Sequence, residues 1–176
     1  ASVYQEQLER RLHPSRELVQ WFITQARRGR KMRIVFPEGA HEQILRACRF
    51  IIDAGIARPI LLGDEAKILR RAKNLGIELP EDSYEIIDAN ASSDLLRYAN
   101  VYANMRERKG ITFDRARQQL LRRTNFAMMM VKQGDADGCV SGVSRSFPDS
   151  IRPALNLIGM QPNVKKACAM HMVLDT

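Results

Sequence analysis

Short apolar runs alternate with amphipathic stretches along most of this chain. The apolar runs predict buried strands, and the stretches whose apolar residues recur every three or four positions predict helices. The strands lie at 33–38, 57–63 and 84–88, and the helices at 41–55, 64–75, 93–108 and 113–133. Alternation of this kind is typical of βαβ units, so the pattern predicts an α/β fold with a parallel sheet. Ligands of such folds bind beyond the carboxyl ends of the strands.

Separate predictions apply to the two ends of the chain. Apolar residues at helical spacing, interrupted at His13-Pro14, predict a pair of connecting helices over 1–31. A length of 176 residues suits one domain, or one domain and part of another. A strand predicted over 164–174 would have an uncovered edge, so we expect the chain to be part of a longer protein.

The segment 134–153 carries the clearest functional pattern. It predicts a short strand, a turn rich in glycine and serine, and a helix with Arg152 in its first turns. Small residues let backbone N–H groups approach a ligand, and the start of a helix adds partial positive charge. Arginine adds a planar guanidinium group that can donate two parallel hydrogen bonds to a phosphate. The segment therefore predicts an anion pocket for phosphate or a phosphorylated cofactor.

Two arginines are the main candidates for binding such an anion. Arg152 would contact phosphate beside Ser141 and Gly142, and the alternative is a surface arginine paired with Asp149. Arg106 precedes a Lys-Gly corner, from which its side chain could project over a cleft. The alternative for Arg106 is a solvated charge that interacts favourably with the helix dipole.

Nearby polar residues leave further alternatives open. Ser141, Ser144 and Ser146 could donate to phosphate or could simply form the turn. Glu38 follows the first strand, where it could contact a ligand or cap the next helix. A serine nucleophile is not expected, because Ser141 has no Gly-x-Ser-x-Gly frame.

The charge balance narrows the class of partner. The net charge is +8 and the isoelectric point is about 9.8, which favours an acidic partner. Nucleic acid is disfavoured because aromatic residues for base stacking make up 6% of the chain. No apolar run approaches the ~20 residues that span a bilayer. We therefore expect a soluble cytoplasmic protein without a nucleic-acid or membrane partner.

The residues that commonly bind metals are dispersed. Cys48, Cys139 and Cys168 form no CxxC pair, which favours reduced thiols over disulfides or a zinc site. Asp135 and Asp137 have the chemistry of metal ligands but lack a third partner. We expect them to lie in a solvated loop, and no metal site is predicted.

Several segments, taken in order, resemble the phosphotransacetylase (phosphate acetyl/butyryltransferase) family. The resemblance covers nearly the whole chain from Met32 onward. The matching segments are 33–39, 55–63, 108–112, 135–138, 141–142 and 151–154. The resemblance implies two α/β domains with a cleft between them, the first over 32–133 and the start of the second over 134–176. This chain would then hold the N-terminal portion of that fold. It also implies acyl exchange between coenzyme A and phosphate.

The resemblance assigns roles to particular residues. Arg106 and Arg152 match the two arginines that the family uses for phosphate and coenzyme A. Ser141 and Gly142 match the loop beside them, and Ser144 and Arg145 extend that predicted binding set. The catalytic serine and aspartate of the family fall in its C-terminal part, so no complete catalytic set is expected in this chain.

Three segments, 4–12, 141–148 and 170–176, are more similar to one branch, the phosphotransacetylase-like domain of bacterial NADP-dependent malic enzymes. In the true transferases the position of Arg145 tends to be histidine. This branch implies a regulatory, homo-oligomeric domain that binds acetyl-CoA, joined to a malic enzyme catalytic domain. NADP and a divalent metal would belong to that parent enzyme, which decarboxylates malate oxidatively. The alternative is an active phosphate acetyltransferase that uses coenzyme A, phosphate and acetyl phosphate.

Overall fold

The computed structural model describes residues 14–167 of the chain. Helices and strands alternate through most of this range. In chain order they are α1 (Pro14–Arg28), β1 (Met32–Phe36), α2 (Glu42–Ala54), β2 (Ala57–Leu62), α3 (Glu65–Asn74), β3 (Glu85–Ile87), α4 (Asp94–Arg106), α5 (Phe113–Leu120), α6 (Arg123–Gln133), β4 (Gly138–Cys139) and α7 (Phe147–Leu157).

Some predictions fall outside these residues. The first of the two connecting helices, most of the strand predicted over 164–174, and Cys168 lie there. Residues 164–167, which are described, form no strand. α1 corresponds to the second connecting helix.

The four strands form one parallel sheet in the order β3-β2-β1-β4. β1 lies at the centre, with Val35 opposite Ile60 of β2 and Cys139 of β4. Gly138 lies so near β1 that a Cβ there would be 3.2 Å from the Cδ1 atom of Ile34. The prediction of an α/β fold with a parallel sheet is confirmed.

Both faces of the sheet are covered, which explains why the strands are continuous apolar runs. Successive side chains of a strand point to opposite faces, so Val35 and Phe36 enter different cores. Phe36 packs with buried residues of α2 and α3. Val35 packs in the larger core with buried residues of α4, α5 and α6, among them Tyr98 and Phe126.

The predicted helix over 41–55 is α2, and its ends have clear causes. The Nδ1 atom of His41 accepts a hydrogen bond from the backbone N–H of Gln43, so His41 caps the helix. Gly55 ends it in the left-handed conformation, with φ of 65°. The first helix of the βαβ unit therefore needs no cap from Glu38.

The single helix predicted over 113–133 is wrong, because the structure divides it into α5 and α6. The backbone turns to an extended conformation at Arg122. The carbonyl at the end of α5, that of Gln119, accepts the backbone N–H of Arg122 at 3.2 Å and the side-chain amide of Asn125 at 2.8 Å. These two donors stabilise the break by satisfying a carbonyl that loses its helical partner.

The boundary predicted at residue 134 falls just before β4. Because β4 pairs with β1, the sheet of the first domain extends to Cys139. The division of the chain into domains stays a prediction.

Candidate functional site

The turn after β4 is held by a carboxylate of the same chain. β1 and β4 are adjacent and parallel, so Glu38 and this turn lie at the same edge of the sheet. The Glu38 carboxylate accepts the backbone N–H groups of Gly142, Val143 and Ser144 at 3.0, 3.1 and 2.7 Å. It also accepts the Ser144 hydroxyl. The N–H groups that the sequence suggested for phosphate are therefore bound to Glu38.

The Glu38 side chain is charged in this setting. The residue is 8% exposed, and burial by itself raises the pKa of its carboxyl. The hydrogen bonds from Ser144, Gly142 and Val143 outweigh burial and lower the pKa below its ordinary value. A second anion beside this carboxylate would be repelled, so a phosphate group needs a different position.

A cleft of about 520 Å³ lies between α5, the start of α6, and α7. Three arginines line it: Arg115 from α5, Arg122 at the break between α5 and α6, and Arg152 from α7. Within the described residues, none of these guanidinium groups forms a hydrogen bond or an ion pair. Asn125 and Asn156 add neutral polar groups to the lining. The cleft thus presents unpaired positive charge.

The two arginines that the sequence singled out have different environments. Arg152 is exposed in the cleft, and it does not pair with Asp149, whose carboxylate accepts the Ser146 hydroxyl at 2.6 Å. Arg106 donates through Nε to the backbone carbonyl of Asn156 at 3.1 Å, and through its Nη2 to the same oxygen. Arg106 therefore contacts the helix that carries Arg152, and its guanidinium group already has a protein partner.

The remaining candidates in the turn have mostly structural contacts. Ser146 caps α7 by accepting the backbone N–H of Asp149. The hydroxyl of Ser141 is buried and has no hydrogen-bond partner among the described residues. Arg145 is exposed. Gly142 adopts a φ of 111°, a conformation that favours glycine.

Sequence reasoning missed Arg115, Arg122 and Asn125, because an exposed arginine on a helix is usually a solvated charge. One signal was present in the sequence. Arg122 stands at the N-cap position of α6, where Ser or Asp is usual, and Arg123 is the first residue of this helix. The first turn of α6 has no acidic residue. Basic residues at the start of a helix oppose its dipole, and an anionic ligand would relieve that conflict.

Asp135 and Asp137 lie in the loop before β4, as predicted, but their carboxylates also pair with other segments of the chain. Asp137 pairs with Arg30 at 2.7 Å and accepts the backbone N–H of Arg33 at 2.7 Å. Asp135 pairs with Arg97 and accepts the hydroxyl of Tyr98, both at 2.7 Å. Among the described residues, no three His, Cys, Asp or Glu side chains are placed to hold a metal ion.

The described cysteines are poor nucleophiles. Cys48 is buried in α2 and Cys139 is half-buried in β4, and both are free thiols. Burial raises the pKa of each to about 12, and the nearby charge of Glu38 adds to the effect at Cys139.

The family model described as "Phosphate acetyl/butaryl transferase" matches residues 18–176. The chain belongs to this family. The phosphate acetyltransferase of Nitratidesulfovibrio vulgaris is 41% identical over 151 residues, which are 86% of this chain and 21% of the relative. That of Thermoanaerobacterium thermosaccharolyticum is 36% identical over 148 residues, which are 84% of this chain and 44% of the relative.

Solved structures give the same result. A phosphotransacetylase from Streptococcus pyogenes superposes with a TM-score of 0.76 and 32% identity over 84% of this chain and 45% of that chain. The EutD phosphotransacetylase from Staphylococcus aureus gives a TM-score of 0.74 and 31% identity, over 82% and 43%. The chain spans less than half the length of these relatives and structures.

The malic enzyme interpretation is wrong. The relatives are named phosphate acetyltransferase and the matching structures phosphotransacetylase. Of the three segments that suggested the malic enzyme branch, 4–12 and 170–176 lie outside the described residues. The third, 141–148, forms the turn bound to Glu38 and the start of α7. The comparisons do not support NADP, a divalent metal or a fused malic enzyme domain.

No helix in the described part of the chain is long and apolar enough to cross a membrane.

Proposed function

We propose that the protein is a phosphate acetyltransferase, which moves an acetyl group between coenzyme A and phosphate. The observation that carries this proposal is the cleft with three unpaired arginines in a chain of this family. In this proposal the cleft binds the phosphate-bearing substrates.

The chemistry of the cleft suits such substrates. Acetyl-CoA and phosphate are both anionic, and a guanidinium group binds phosphate oxygens through two parallel hydrogen bonds. Small-molecule sites commonly have volumes of roughly 300–1,000 Å³. The cleft, at about 520 Å³, lies in that range. Asn125 and Asn156 supply neutral donors and acceptors beside the charges.

In the proposed reaction, an oxygen of phosphate attacks the carbonyl carbon of acetyl-CoA. The C–S bond breaks with its electron pair on sulfur, acetyl phosphate forms, and the proton of hydrogen phosphate ends on that sulfur as the thiol of coenzyme A. Holding both reactants in line contributes much of the acceleration of such a step. The described residues would bind and orient substrate in this scheme. The expected homo-oligomer and cytoplasmic location stay predictions.

The function is tested with the full-length protein, acetyl-CoA and inorganic phosphate. We expect free thiol to appear only when phosphate is present, with an equal amount of acetyl phosphate. The matched control omits phosphate and measures background hydrolysis. Acetyl-CoA binding without phosphate-dependent thiol release would overturn the proposal.

A further inference from the structure

We propose that Glu38 is a positioning residue for the cleft. Its carboxylate fixes the turn 142–144, and this turn sets the orientation of α7, which carries Arg152. The proposal rests on the function proposed above. It concerns the chain's own carboxylate, which touches no substrate in this scheme.

The first observation is the hydrogen bonding of the turn itself. Glu38 accepts three backbone N–H groups and one hydroxyl from residues 104 to 106 positions away in the chain. Within the described part of the chain, residues 141–145 form no other hydrogen bonds. A turn with φ of 111° at Gly142 has little conformational preference of its own, because glycine is the least restricted residue. Its shape therefore depends on Glu38.

The second observation is the short path from this turn to Arg152. Ser146 caps α7 directly after the turn, and α7 begins at Phe147, so Arg152 is the sixth residue of the helix. The other end of α7 is held by Arg106 through the carbonyl of Asn156, and Lys132 donates to the carbonyl of Ile158 at 3.1 Å. Arg152 lies at the middle of α7, and the turn bound to Glu38 directly precedes the start of this helix. A shift of the start of α7 would therefore displace Arg152.

The test uses Glu38→Gln in the full-length protein. Gln has nearly the same size, but it removes the charge and places an amide NH₂ against N–H donors. Glu81→Gln is the matched control, because Glu81 is exposed and its side chain forms no hydrogen bond or ion pair within the described residues. We expect Glu38→Gln to raise the KM for acetyl-CoA roughly tenfold and to change kcat less than about twofold, since binding geometry is lost.

Two further readouts separate positioning from general destabilisation. Hydrogen exchange of the amides of residues 142–144 should become faster in Glu38→Gln and stay unchanged in Glu81→Gln. In an Arg152→Ala background, Glu38→Gln should change the KM by less than about twofold, because the two residues act through one path. Glu38→Asp, which keeps the charge but has one methylene less, should fall between Glu38→Gln and the unaltered protein. It remains testable if Glu38→Gln does not fold.

Unchanged amide exchange would show that Glu38 does not hold the turn. Additive effects on KM in the double variant would show that Glu38 does not act through Arg152. Either result overturns the proposal. Absence of transfer in the unaltered protein would instead overturn the proposed function. In that case, the affinity for acetyl-CoA would be measured by calorimetry in the same single and double variants. Together with amide exchange, these affinities would decide the role of Glu38.

Discussion

At the scale of single residues, a few carboxylates join segments that are far apart in the chain. Glu38 binds the turn after β4, Asp137 binds residues before and within β1, and Asp135 binds α4. Each carboxylate accepts at least two hydrogen bonds, and bonds to a charged acceptor are stronger than bonds between neutral groups. Removing one partner leaves a polar group unsatisfied, and that cost exceeds the net value of the bond.

Two tyrosines allow a matched comparison of such bonds. The Tyr98 hydroxyl donates to the carboxylate of Asp135, and the Tyr102 hydroxyl donates to the amide oxygen of Gln119, both at 2.7 Å. Because the first acceptor is charged, we expect Tyr98→Phe to lower the free energy of unfolding by about 2 kcal/mol and Tyr102→Phe by about 1 kcal/mol. Urea unfolding measures both. Equal decreases in the free energy of unfolding of the two variants would contradict the claim that the bond to Asp135 is the stronger one.

Asp137 should make the stability depend on pH. The backbone N–H of Arg33, followed by the side chain of Arg30, lowers the pKa of Asp137 below its ordinary value of 3.8. A carboxyl with a lowered pKa stabilises the fold above the unfolded pKa, and the contribution is lost as pH falls through the folded pKa. The stability difference between the unaltered protein and Asp137→Asn should therefore be constant near neutral pH and shrink in acid.

That difference is measured by urea unfolding at a series of pH values. Glu81→Gln controls for the loss of one negative charge, because Glu81 is exposed and its side chain forms no hydrogen bond or ion pair within the described residues. A difference that stays constant down to the lowest pH at which the protein folds would contradict the assignment.

At the scale of elements, the sequence predicted helices where the local pattern carries its own end signals. α2 has a signal at each end, with the capping residue His41 at its start and the left-handed glycine Gly55 at its end. The break between α5 and α6 has no glycine or proline, so the apolar pattern continued across it in the prediction. The break depends on the Asn125 side chain, whose bond to the Gln119 carbonyl spans six residues. Local periodicity does not reveal such a contact.

We expect Asn125→Ala to destabilise the protein by about 1 kcal/mol, because the Gln119 carbonyl loses its side-chain donor. Asn104→Ala is the matched control, since Asn104 lies exposed in α4 without a hydrogen bond among the described residues. Alanine there should be neutral or slightly stabilising, because it favours helix. Thermal unfolding of both variants checks this. Equal shifts in Tm would contradict the role of Asn125.

At the scale of the whole molecule, alternating patterns were sufficient to predict the parallel sheet, because buried strands and amphipathic helices have distinct periods. The candidate site was only partly predictable. Arg152 was found from its place after a glycine-rich turn, and it lines the cleft. The pairing of Glu38 with Ser144, and the approach of Arg115 and Arg122 to α7, depend on tertiary contacts that no local pattern contains.

The central claim is that the arginine-lined cleft binds acetyl-CoA. The most direct measurement is the calorimetric affinity of the full-length protein for acetyl-CoA, compared between Arg152→Ala and Arg70→Ala. Arg70 is an exposed arginine of α3 whose side chain forms no hydrogen bond or ion pair in the described residues, so it controls for charge. Loss of a charge-assisted phosphate contact should weaken binding at least roughly tenfold in Arg152→Ala. Equal affinity of the two variants would contradict the account.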